Sequence, residues 1–131
     1  MANIVPDSFK TDLLGGVFDF DSSGGSTFKL ALYTSIAGFS TATTAYTTTN
    51  EVSSSGTNYT AGGNTLTNNG VAIASNIAYV DFADLTFSSV TLTAVGALIY
   101  KSASPYNAVL VLDFGGSKTA TNGDFVVQFP T

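Results

Sequence analysis

The spacing of apolar positions along this chain is helical at the start and strand-like thereafter. Phe9 and Leu13 stand four apart, and Val17 continues their stripe just beyond Gly15-Gly16. Pro6 suits a first helical position, Asp7 sits favourably in the first turn, and the glycine pair ends the pattern. A helix of about nine to eleven residues is predicted, too short to hold by itself. It docks either on the end of its own sheet or, as an N-terminal arm, on a neighbouring subunit.

From Phe28 the period becomes two. Phe28-Lys29-Leu30-Ala31-Leu32-Tyr33 places Phe28, Leu30 and Leu32 on one face. Residues 41–69 are polar and rich in Thr, Gly and Asn, with few anchors beyond Tyr59, Ala61 and Leu66. Short strands within a long surface excursion are expected there. Val71-Ala72-Ile73 and Ala78-Tyr79-Val80-Asp81-Phe82 read as strands, and the run from Thr91 to Tyr100 reads as the longest, its last part apolar on both sides. A turn at Pro105 and Asn107 precedes Ala108-Val109-Leu110-Val111-Leu112-Asp113-Phe114, Gly115-Gly116 breaks the run, and Asp124-Phe125-Val126-Val127-Gln128-Phe129 is the closing strand. Short strands at roughly ten-residue intervals with glycine turns predict a single domain over residues 1–131. The expected fold is mainly β, an antiparallel β-sandwich or barrel-like domain with one short N-terminal α-helix, residues 1–20 forming the arm and helix.

Composition narrows the chemistry. Hydrophobic residues make up 44% of the 131, enough for a core, yet only 10% are charged, against roughly 25% in an average soluble protein. His, Cys, Trp and Arg are absent, which removes the imidazole base, the thiolate, the usual zinc ligands and the bidentate phosphate fork. With a net charge of −5 and with Lys10, Lys29, Lys101 and Lys118 scattered singly, neither nucleic acid nor an anionic membrane is an expected partner. No apolar run reaches the roughly 18 residues of a membrane span. The first residues carry no secretory-signal pattern, so a chain made in the cytoplasm is expected. The 19 Thr and 15 Ser give the surface few long side chains to immobilise, which lowers the entropic cost of packing it on a partner.

Carboxylates are the remaining candidates for catalysis. A glycosidase needs two of them facing each other across a sugar. Asp81, Asp84 and Asp113 at strand ends, and Asp19 and Asp21 around Phe20, read instead as turn formers that bond local amides. Asp19-Phe20-Asp21-Ser22-Ser23-Gly24 matches the start of a calcium loop, but the lone glutamate, Glu51, is far away in sequence. Asn58-Tyr59-Thr60 fits a glycosylation sequon that carries little weight without a secretory signal. The many hydroxyls have no activating base and no nucleophile elbow. No catalytic residue, metal or cofactor is expected, and a small cell-wall hydrolase acting through Asp81 or Asp113 is the poorest of the readings.

One further pattern concerns whole segments. The opening Asn3-Ile4-Val5-Pro6-Asp7-Ser8-Phe9-Lys10-Thr11-Asp12-Leu13-Leu14, followed in order by Thr27-Phe28-Lys29-Leu30-Ala31-Leu32-Tyr33-Thr34, Ala45-Tyr46-Thr47-Thr48-Thr49-Asn50-Glu51-Val52 and Tyr59-Thr60-Ala61-Gly62-Gly63-Asn64-Thr65-Leu66, resembles a group of small virion structural proteins of tailed bacteriophages, many from aquatic hosts including cyanobacteria. The resemblance continues through Val80-Asp81-Phe82-Ala83-Asp84, Gly96-Ala97-Leu98-Ile99-Tyr100 and Leu112-Asp113-Phe114-Gly115-Gly116. Val95 stands where similar sequences often carry Arg. Those sequences often run on past Phe129-Pro130-Thr131 with another short apolar strand, which a neighbour would supply here if it forms at all.

The resemblance implies a capsid decoration (cement) protein on the outer surface of the head. Its partners would be the major capsid protein and further copies of itself, as a homo-trimer. Contacts are expected from Ile4, Val5 and Phe9 of the arm and from Thr44, Tyr46 and Thr48 of the excursion. The rival role is a tail, baseplate or fibre module that meets the host surface through exposed Tyr33, Tyr46, Tyr59 or Tyr106.

Overall fold

The computed structural model describes residues 2–129; the Pro130-Thr131 end and any strand following it lie outside the described residues. One helix, α1 (Asp7–Leu14), precedes six strands: β1 (Phe28–Tyr33), β2 (Asn64–Thr65), β3 (Asn68–Ala74), β4 (Ile77–Phe82), β5 (Leu85–Lys101) and β6 (Ala108–Val127). All pairings are antiparallel, in a four-stranded sheet of order β2-β1-β5-β6 and a separate two-stranded ribbon, β3-β4. The chain is therefore mainly β with one short helix, and the four-stranded sheet stays open instead of closing into a barrel.

The centre of the sheet is apolar on both sides. Leu30 pairs with Ile99 and Leu32 with Ala97 on one face, while Ala31 pairs with Leu98 on the other, and all six side chains are buried. Strands buried on both faces read as continuous apolar runs, which is the pattern at the end of β5. On the first face the outer half of the β5-β6 ladder curls over β1, so that Phe87, Val90 and Phe125 share one cluster with Phe28, Leu30 and Leu32. Ile36, Phe39 and Tyr46 from irregular chain, with Ile4, cover the second.

Three expectations change. The helix is eight residues long with Pro6 at its N-cap, not inside it, and none of its side chains is fully buried. It rests on its own sheet through Phe9, whose ring lies 5.1 Å from that of Phe18. The excursion forms no strand before β2, only single bridges at Ala45 and Glu51, because its Thr-rich stretch has nothing apolar to alternate. Gly115-Gly116 does not end a strand. Residues 114–117 bulge out opposite Val95 while the ladder continues from Gly96↔Asp113 to Ala94↔Lys118, and the positive φ of both glycines absorbs the detour. Two expected strands are thus one.

Two glycines permit close approach. A Cβ on Gly96 would overlap the Leu112 backbone carbonyl of β6 and lie 2.7 Å from Ile36 Cγ2 in the second cover. Gly63, at φ +79°, has its backbone against β1, and a Cβ there would overlap the Leu30 carbonyl. Gly63→Ala is expected to lose about 3 kcal/mol or more of unfolding free energy, from combined strain and overlap, measured by urea denaturation followed by circular dichroism.

Candidate functional site

Two features hold the chemistry of the surface. The first fastens the excursion. Glu51 Oε1 accepts from Tyr46 Oη at 2.7 Å, while Glu51 Oε2 accepts from Tyr59 Oη and from the Gly62 amide, each also at 2.7 Å. Tyr59 Oη in turn accepts the Leu32 amide of β1 (3.0 Å), and Tyr100 Oη donates to the Gly62 carbonyl (2.6 Å). Tyr33 Oη donates to the Thr47 carbonyl at 2.7 Å. The only glutamate of the chain therefore joins three segments of irregular chain to the edge of β1, using charge-assisted bonds.

Burial, and behind it the nearby Glu51 carboxylate, raises the hydroxyl pKa of Tyr33, Tyr46 and Tyr59 well above the usual tyrosine value, and that of Tyr100 to about 12. These hydroxyls stay protonated donors at physiological pH. Tyr46 also stacks on Tyr100, with centroids 4.6 Å apart.

The second feature is the β3-β4 ribbon and the cleft at its base. Ser75 and Asn76 both take positive φ, 50° and 66°, the geometry of a two-residue type I′ hairpin turn. The register puts Val71, Ile73, Ala78 and Val80 on one face of the ribbon and Ala72, Ala74, Ile77 and Tyr79 on the other. Neither face is polar, and residues 71–80 hold no charged side chain.

The ribbon is tied down only near its base. Asn68 Nδ2 donates to the Phe20 carbonyl at 2.9 Å, and Phe82 joins the main core. Beyond this, Ile73 is 71% exposed and Ile77 66%. An apolar cleft of about 890 Å³ lies between the ribbon and the N-terminal arm, walled on the body side by Val5, Phe9, Leu13, Leu110 and Phe129, with Asp81 its one charged wall residue.

The residues expected to make contacts divide between these features. Val5 is exposed and Phe9 half-buried, and both line the cleft. Ile4 pairs with Val111 through two backbone hydrogen bonds and packs on the second face of the sheet. Thr44 and Thr48 are exposed, the Thr44 carbonyl accepting the Ala108 amide and the Thr48 carbonyl the Glu51 amide. Tyr46 is half-buried against Tyr100 and bonded to Glu51. The structure thus brings Val5 and Phe9 together at the cleft and Ile4 and Tyr46 together on the second face of the sheet, with the arm tied to the excursion where the Asp7 amide donates to the Thr41 carbonyl at 2.8 Å and Ser8 Oγ to the Thr43 carbonyl at 3.1 Å.

Of the tyrosines named for a host-surface role, Tyr33 and Tyr59 are buried and face inward, whereas Tyr106 keeps an exposed ring. Both strands of the ribbon form where the sequence predicts strands, but their exposure on two apolar faces was not anticipated. The signal for that exposure was two apolar faces within an uncharged ten-residue stretch.

Asp19 and Asp113 bond amides two residues on, as turn formers do, whereas Asp84 reaches the distant Phe129 amide and Asp81 accepts from the Asn69 side chain. Asp84 Oδ1 accepts the Phe129 amide at 2.8 Å, and Asp113 Oδ1 accepts the Gly115 amide at 2.9 Å, a bond that lowers the Asp113 pKa. Asp19 Oδ1 accepts the Asp21 amide at 3.0 Å in a turn. No three Asp, Glu, His or Cys side chains among the described residues converge to hold a metal ion. Nor, among the described residues, is any helix long and apolar enough to cross a membrane.

Removing the Glu51 carboxylate strands three donors. Glu51→Ala is expected to destabilise the chain by about 3 kcal/mol, and Glu51→Gln, which keeps part of the bonding, by about 1 kcal/mol, as read from the midpoints of chemical denaturation. Compared with protein-family models, curated proteins and solved structures, this chain matches none.

Proposed function

We propose that this chain is a non-enzymatic structural component of a tailed-phage virion, a decoration protein that binds the outer surface of the head shell and stabilises it. The observation that carries the reading is the coexistence of a charge-poor, Ser/Thr-rich exterior with a concentrated apolar region. That region comprises the N-terminal arm, the cleft and the ribbon, where Leu14 is 90% and Ile73 71% exposed. Exposed apolar patches of this kind mark protein interaction sites, and the short polar side chains elsewhere cost little entropy when packed in a lattice. The segment-by-segment resemblance to virion structural proteins supplies the class of particle.

Such a protein acts by mass action. A subunit that binds only the expanded shell lowers its free energy in proportion to the logarithm of free subunit concentration over dissociation constant. The major capsid protein and further copies of this chain are then the partners, in a homo-trimer, and Val5 and Phe9 fall on the side that would meet them. Nothing in this role calls for a cofactor. Immunogold labelling of intact virions with an antibody to this chain is expected to decorate the head. Label confined to the tail would replace this role with one in tail assembly or host attachment, and particles without label would overturn the virion reading.

A further inference from the structure

We infer that the β3-β4 ribbon is an exchange arm, which seats in the apolar cleft of a second copy of this chain. This goes beyond the virion reading and does not require it. Both halves of the contact are present on one molecule: a projecting ribbon with Ile73 on one face and Ile77 and Tyr79 on the other, and a cleft walled by Val5, Leu13 and Phe129 on the body side and by the resident ribbon on the other.

The ribbon demands cover on both sides. A strand pair that lies on a single surface alternates apolar and polar residues, whereas one apolar on both faces belongs between two layers. A two-stranded hairpin without such cover is marginal in water, and its outer edges offer unpaired backbone groups to a neighbour. Its own body covers it only near the base, since Val71, Ile73, Ile77 and Tyr79 remain between 48% and 71% exposed.

A second copy matches in chemistry and in size. Ribbon residues 71–80 carry no charge, and the cleft lining holds a single one, Asp81 at the base of the ribbon, so seating one in the other desolvates that carboxylate alone. Four large side chains on the ribbon, with Val5 and Leu13 of the cleft, each offer on the order of 100 Å². These side chains alone bury about 600 Å² in one contact and about 1,200 Å² in a reciprocal exchange, the lower end of the range for a specific interface. Val71, Ala74, Ala78, Tyr79 and Val80 of the resident ribbon form the opposite wall of the cleft, so an entering ribbon seats between that wall and the body, and the contact closes as a two-fold exchange or as a ring in which each ribbon enters the next copy.

The chain has no cysteine, which makes cross-linking unambiguous. Ile73→Cys and Leu13→Cys chains are purified separately, mixed and mildly oxidised. The expected result is a disulfide-linked Ile73–Leu13 heterodimer that forms at least about tenfold faster than the homodimer of either variant. Equal rates for mixed and unmixed chains, or self-linkage of Ile73→Cys alone, would overturn the assignment.

Sedimentation of the unaltered chain should show dimers or closed rings at micromolar concentration, and Ile73→Asp should weaken the association at least about 100-fold, as expected of a buried anchor. Its β circular dichroism should be unchanged, because Ile73 lies outside the core. An unaltered chain that is monomeric throughout would also overturn it, leaving a different protein to cover the ribbon.

Discussion

Leu30 and Ile99 turn to one side of the sheet, Ala31 and Leu98 to the other, and all four are fully buried. A sheet apolar on both faces requires two covers, and the described residues have only one helix of eight residues to offer. One cover comes from the sheet itself, through the curl of the β5-β6 ladder that brings Phe87 and Phe125 over Phe28 and Leu32. The other is irregular backbone after β1. Irregular chain is a costly cover because its own amides and carbonyls need partners, and the tyrosine hydroxyls gathered around Glu51 meet part of that need. Tyr59 shows the economy of the arrangement, accepting the Leu32 amide where a further strand would have stood and donating to the carboxylate that holds its own loop.

The same demand reappears, unmet, in the ribbon. β3 and β4 also present two apolar faces, but the remaining chain is already committed to the central sheet. The N-terminal arm comes nearest: Phe9 packs on Phe18 and Phe20 and lines the cleft, as does the half-exposed Leu13. A chain that covers its central sheet twice and leaves a ribbon bare is suited to assembly, because the missing layer can come from a neighbour. This link between packing and function is physical. It holds for any lattice or oligomer, and the resemblance to virion proteins says which lattice is proposed.

Much of the fold was legible where periodicity was strong. The alternation of β1, the doubly apolar end of β5 and the stop at Gly15 are local patterns, and each appears where the spacing puts it. Continuity of β6 was not legible, because a glycine pair that ends a strand and one that makes a bulge look alike until the partner strand fixes the register at Ala94 and Gly96. Glu51 was equally silent. Its importance comes from Tyr46, Tyr59 and Gly62 converging on it in space, and no spacing rule announces a convergence of loop residues. Val5 and Phe9 were reached through the arm, but the ribbon opposite them was read as ordinary strand, since each of its faces taken alone resembles core.

Whether the ribbon is covered in the assembled state is read most directly by amide hydrogen exchange of the full chain at rising concentration, which reports local opening segment by segment. The expected result is that residues 71–80 become protected as concentration rises, approaching the slow exchange of β1 and the end of β5. Fast exchange of those residues at every concentration, with β1 and β5 protected throughout, would contradict the idea that a second copy completes the fold.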